Sequence, residues 1–141
     1  MKDTQEVKTQ LQKNYEFVIF YRASCPHCQR FAPILNQFSN QNGFLVESVA
    51  TDGIISAYYP HGIKMTPELK EAFFGRSSDT AVPALFLLNR QNGHVYPISQ
   101  GELSWEELNT RMEELMPKID VNEKNEKNER SKKSEEGFVN E

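Results

Sequence analysis

Phe17-Val18-Ile19-Phe20-Tyr21-Arg22-Ala23-Ser24-Cys25-Pro26-His27-Cys28 is the stretch that decides the reading of this chain. Its opening residues are continuously apolar, rich in aromatic and β-branched side chains, as in a strand covered on both faces. Arg22-Ala23-Ser24 makes a short turn. Cys25-x-x-Cys28 then opens a helix, because Phe31, Leu35 and Phe38 follow on one face at spacings of four and three. Cys25 and Cys28 are the only two cysteines in the protein. A thiol pair at a strand-to-helix junction points to redox chemistry.

Each residue of the motif has an expected part. A cysteine at a helix N-terminus faces unpaired backbone N–H groups and the positive end of the dipole, and both favour a sulfur anion. Cys25 takes that place and is the expected nucleophile. Cys28, one turn further in, is the more covered thiol and the expected resolver of a mixed disulfide. Pro26 suits the first helical position, and His27 adds hydrogen bonding and positive charge beside Cys25, so both are expected to modulate the site. The reaction needs no cofactor beyond the redox-active Cys25–Cys28 disulfide. Zinc would need a second ligand pair, and His61 and His94 lie far away at no ligand spacing. Haem attachment needs a histidine directly after the second cysteine, where Gln29 stands. A purely structural disulfide would close too small a loop to stabilise much.

The remainder of the chain frames this motif. Its 141 residues are one domain's worth. A formal net charge of −4 argues against a nucleic-acid partner. No stretch approaches the roughly 20 apolar residues of a membrane span, and the polar first residues contain no secretory signal. Residues 1–14 read as a helical lead-in anchored by Val7 and Leu11, residues 15–117 as the folded domain, and 118–141 as a disordered tail. Lys, Glu and Asn dominate that tail until Phe138-Val139.

Within the domain, a strand over Glu16–Tyr21 leads into a helix from Pro26 to about Asn40, carrying Pro33 inside it. Asn42-Gly43 ends that helix. Phe44–Ala50 is a second strand, which makes a βαβ unit with parallel strands and a right-handed crossover. Residues 51–64 read as irregular. Thr66-Pro67 caps a short helix bearing Leu69, Ala72 and Phe73, and Gly75 ends it. Ala84–Asn89 is a third strand behind Val82-Pro83. Gln91-Asn92-Gly93 turns it into an antiparallel partner over His94–Ser99. Ser104 and Glu107 form a capping box flanked by Leu103 and Leu108, and the last helix is expected to stop near Pro117. The fold class is α/β: a mixed four-stranded sheet with flanking helices, a β-α-β unit followed by an inserted helix and a β-β-α unit.

Strand, Ser24-Cys25-Pro26-His27-Cys28-Gln29-Arg30-Phe31-Ala32-Pro33, and a downstream Val82-Pro83 before a strand together resemble the thioredoxin-like fold family. The resemblance implies that Pro83 is cis, lies opposite Cys25, and presents the backbone of Val82 to a bound substrate strand. Cys-Pro-His-Cys is also the choice of DsbA-type oxidases, whose large helical insertion this chain lacks. With Asp52-Gly53, Tyr59-Pro60, Thr66-Pro67 and Phe73-Phe74 added, the chain is most similar to the TrbB family. That family comprises thiol-disulfide isomerases of F-type conjugative transfer systems. Two departures stand out. Ile19 occupies the position where many thioredoxin-like proteins bury an acid, which leaves Arg22, Glu47 or His27 to assist proton transfer. Ser24 replaces the tryptophan that often precedes the first cysteine.

The resemblance implies a periplasmic thiol-disulfide oxidoreductase or isomerase whose signal peptide has been removed. Its partners would be exported proteins with thiols or disulfides, plus a redox partner that resets the dithiol. Two alternatives remain: a reductive thioredoxin of the cytoplasm, and a non-enzymatic binding module of the same fold. Tyr58, Tyr59 and His61 are weighed as part of a substrate groove against ordinary loop packing.

Overall fold

The structure is a computed structural model and describes residues 13–76 and 80–139. The expected anchors Val7 and Leu11 lie outside the described residues, of which Lys13 and Asn14 are helical. β1 (Tyr15–Tyr21) is the centre of a five-stranded sheet. It pairs in parallel with β2 (Leu45–Ala50), placing Phe17 opposite Val46 and Tyr21 opposite Ala50. β3 is Ile63–Lys64, α2 is Pro67–Phe74, β4 is Ala84–Asn89 and β5 is Val95–Gln100. The spatial order is β3-β2-β1-β4-β5. β4 runs antiparallel to both β1 and β5.

The sheet therefore has five strands where the sequence suggests four. The extra one, β3, adds only Ile63 and Lys64, in parallel beside Val49 and Ala50. Both residues are exposed, so a two-residue edge strand leaves no alternation to read in residues 51–64.

Continuous apolarity in β1 matches its surroundings, because each face of the sheet is covered. Phe17, Ile19 and Tyr21 point to the face packed by α1 (Pro26–Asn42) and α3 (Trp105–Val139). Phe31, Leu35 and Phe38 come from α1, and Leu108, Met112, Met116 and Ile119 from α3. Val18 and Phe20 point to the opposite face, where Phe73 and Phe74 of α2 pack. Phe20 meets Phe74 edge-on at 4.9 Å between ring centres. α1 continues through Pro33 and ends at Gly43, which takes the left-handed conformation at φ 74°.

The last helix does not stop at Pro117. α3 begins with the expected capping box: Glu107 N–H donates to Ser104 Oγ and Ser104 N–H to Glu107 Oε1. It then remains helical to Val139, over residues whose composition reads as a disordered tail. A proline costs one backbone hydrogen bond, and tertiary contacts beyond it offset that loss. Ile119 extends the stripe of Leu108, Met112 and Met116 and is 1% exposed. Glu123 accepts hydrogen bonds from Asn92 and from the Tyr96 hydroxyl, and its carboxylate pairs with His94 at 3.0 Å. Burial works against the Glu123 carboxylate, yet hydrogen bonds from Tyr96, His94, Asn92 and Asn89 hold it down to about 2.

Two outcomes follow from this docking. Ile119→Ala should lower unfolding stability in urea by about 2–5 kcal/mol, the usual range for deleting a buried branched side chain. The Glu123 carboxyl sits lower folded than unfolded, where it titrates near ~4.3. Its contribution is therefore complete above about pH 4.5 and disappears as pH falls through about 2. Glu123→Gln should flatten that acid limb of the stability curve.

Candidate active site

β1 ends where α1 begins, and the turn between them delivers both thiols. Cys25 is the N-cap of α1, with extended backbone at φ −90° and ψ 110°, and Pro26 holds the first turn. The Sγ of Cys25 accepts the backbone N–H of Cys28 at 3.2 Å. A sulfur at this place satisfies one of the orphan donors of the helix start. Both cysteines are in the free thiol form. Cys25 keeps 7% of its surface and Cys28 only 1%.

Coverage and chemistry diverge accordingly. Burial, and then the hydrogen bond with Cys25, pushes the Cys28 thiol up to about 12. A backbone hydrogen bond from Arg22 and the Arg22 charge act in the opposite sense. Of the groups weighed in place of a buried acid, Arg22 is thus the one that acts on Cys28. Glu47 stands opposite Val18 in the ladder, on the sheet face away from the thiols. Ile19 itself is fully buried.

The structure brings Val82 and Pro83 to Cys25. The Val82–Pro83 peptide is cis. The Val82 carbonyl oxygen lies 4.0 Å from Cys25 Sγ, across a sequence separation of 57 residues. Pro83 is fully buried, and its carbonyl accepts the Gly101 N–H at 2.7 Å, which ties the loop to the end of β5.

Tyr59 is placed inside rather than along a groove. It is 5% exposed, and its hydroxyl donates to the Cys28 carbonyl at 2.8 Å. Its ring stacks on Tyr21 at 4.5 Å. Burial first, then the nearby sulfurs of Cys28 and Cys25, push its phenol upward, so it remains a donor. Gly62 makes room for this pair, since a Cβ there would stand 2.4 Å from the Tyr21 hydroxyl. Tyr58 is half exposed and His61 lies at the surface.

At the rim, His27 and Arg30 of α1 meet Glu102, just beyond β5. Arg30 Nη2 and His27 Nδ1 each lie 2.7 Å from Glu102 Oε1. Arg30 first, then His27, hold the Glu102 carboxyl down to about 2. Arg30 and Glu102 are 72 residues apart, so sequence reading missed their meeting. Among the described residues no group of three or more His, Cys, Asp or Glu is arranged to hold a metal ion.

The unequal thiols predict unequal chemistry. Iodoacetamide added to the reduced, folded protein at pH 8 should attach one carbamidomethyl group, at Cys25, with Cys28 reacting only on unfolding. Mass spectrometry reads both. Because Cys28 titrates higher folded than unfolded, where cysteine sits near ~8.5, the unfolded state loses that proton first. Stability of the reduced protein should therefore fall as pH rises from about 8.5 toward about 12.

The chain is 32% identical to Protein TrbB of Escherichia coli strain K12 over 88 residues, 62% of this chain and 48% of that protein. It is 28% identical to Protein TraF of the same organism over 98 residues, 70% of this chain and 38% of that protein. The chain thus spans about half or less of the length of these relatives. Its fold matches a thioredoxin-family thiol:disulfide interchange protein from Chlorobium tepidum TLS, with TM-score 0.53 and 22% identity. That match covers 77% of this chain and 84% of the other. The family described as "TraF: F plasmid transfer operon protein" matches residues 1–112. With that match over residues 1–112, this thioredoxin fold carrying Cys25-Pro26-His27-Cys28 at the start of α1 belongs to the TraF family of F plasmid transfer operon proteins.

Proposed function

We propose that this protein is a thiol-disulfide oxidoreductase that forms or reshuffles disulfides in exported proteins of a conjugative transfer apparatus. One observation carries the reading. Cys25 stands at a helix start with its sulfur accepting the Cys28 N–H, beside the Val82 carbonyl, while Cys28 lies covered beneath. Membership of the F plasmid transfer operon protein family supports the conjugative setting and, with it, a periplasmic location.

The exchange runs through a mixed disulfide. In the oxidised protein, a substrate thiolate attacks Cys25 of the Cys25–Cys28 disulfide. The bond between the two protein sulfurs breaks, and Cys28 leaves as a thiolate that takes up a proton. A second substrate thiolate then attacks its own partner sulfur and displaces Cys25, so the substrate gains a disulfide and the protein becomes a dithiol. Reshuffling begins instead with Cys25 of the reduced protein attacking a substrate disulfide, and Cys28 can displace a stalled substrate. Val82 offers a backbone carbonyl at the nucleophile on which an extended substrate can dock, with Pro83 shaping the loop. Pro26 and His27 tune the site. A redox partner returns the dithiol to its starting state.

Cys25→Ser should abolish insulin reduction and refolding of scrambled substrates. Cys28→Ser should accumulate mixed disulfides with protein substrates, which a non-enzymatic binding module would not trap. Unchanged insulin reduction in Cys25→Ser would remove the proposal. Equilibration with glutathione separates the finer possibilities. A potential near about −120 mV indicates an oxidase, about −180 mV an isomerase, and about −270 mV a reductive thioredoxin.

A further inference from the structure

Arg30 and Glu102 lie outside the Cys-x-x-Cys motif, and the exchange steps make no use of them. Glu102 takes both Arg30 and His27. Arg30 Nη2 donates to Glu102 Oε1 at 2.7 Å, and Arg30 Nε reaches Oε1 at 3.1 Å and Oε2 at 3.2 Å. His27 Nδ1 lies 2.7 Å from Glu102 Oε1 and 2.8 Å from Arg30 Nη2. One ring nitrogen cannot donate to a carboxylate and accept from a guanidinium at the same time. The imidazole therefore has two arrangements, and Glu102 takes part directly in only one.

We propose that Glu102 is a positioning residue that restrains the oxidising strength of the Cys25–Cys28 pair by pairing with Arg30 and His27 on the first turns of the helix that begins at Cys25. The inference rests on the exchange activity proposed above. A dithiol pair is a stronger oxidant when its reduced form, with a negative nucleophile sulfur, is better stabilised. Arg30 lies on the second turn of the helix that begins at Cys25. Glu102 is the first influence on the guanidinium, and a negative Cys25 sulfur acts on it in the same sense. Paired with Glu102, the guanidinium acts on the sulfur as half of a dipole. Unpaired, it would act as a full positive charge. Glu102 is held in place from the substrate side of the site, because the preceding Gly101 N–H donates to the Pro83 carbonyl at 2.7 Å. The carboxylate thus links the loop at Val82 to the helix that begins at Cys25.

Removing that charge leaves Arg30 with no anion paired to it. Net positive charge near Cys25 rises. In glutathione buffer the protein disulfide takes two electrons and two protons from two glutathione thiols, which leave as one glutathione disulfide. The equilibrium constant of that exchange reads the effect directly.

The test compares the full chain with Glu102→Gln at pH 7, alone and together with Arg30→Gln. Glu102→Gln should shift the constant toward the protein dithiol by roughly threefold to tenfold, some 15–30 mV more oxidising. In the Arg30→Gln background the same change should move it less than about twofold. Glu102→Asp, which keeps the charge, should return the constant most of the way to the wild-type value. An unchanged constant, or a shift toward the disulfide, overturns the inference. So does an equal shift in both backgrounds, which would mean direct repulsion between carboxylate and sulfur. A wild-type chain that forms no Cys25–Cys28 disulfide in any buffer would defeat the exchange activity itself. Ordinary wild-type titration with an unmoved Glu102→Gln constant defeats this inference alone.

Discussion

Burial of β1 on both faces is the constraint on which the site depends. Phe17, Ile19 and Tyr21 are fixed from one side by α1 and α3, and Val18 and Phe20 from the other by α2. A strand held this way cannot slip by one residue without exchanging its two apolar sets, and each set fits a different helix layer. Its C-terminal end is therefore fixed in space. The turn after Tyr21 places Cys25 at the helix start, and the antiparallel pairing with β4 brings Val82 and Pro83 to the same end of the sheet.

From that placement the two thiols inherit different tasks. Cys25 Sγ accepts one of the N–H groups of the helix start. Cys28 is surrounded by core, and burial holds its proton. The Tyr59 hydroxyl braces the Cys28 carbonyl from below. A more open thiol and a more covered one follow from one helical turn seated on one strand end.

How far the sequence discloses this varies with the range of the interaction. β1, the first helix, the Gly43 stop, the Thr66 and Ser104 caps and the Cys25-x-x-Cys28 motif are local patterns, and all are legible in the residues themselves. The close approach of Val82 to Cys25 became legible only through family resemblance, since 57 residues separate them. β3 was hidden because two exposed residues carry no periodicity. Helix continuation past Pro117 was hidden because a proline and a polar composition outweighed one more apolar residue. The Ile119 burial and the Glu123 contacts that sustain it arise in the folded state. Arg30 with Glu102, and Tyr59 with Cys28, are likewise partnerships made by topology.

Ile19 bears on how protons move. Where a carboxylate on this strand would serve Cys28 from beneath, the chain places a fully buried hydrocarbon. Tyr59 cannot take the proton, because burial and the nearby sulfurs hold its own. Glu47 faces the other side of the sheet. What favours a negative Cys28 is the backbone hydrogen bond and charge of Arg22, and Arg22 itself is exposed. The charge that favours a thiolate at Cys28 thus comes from Arg22, just past the end of β1, and not from beneath the sheet.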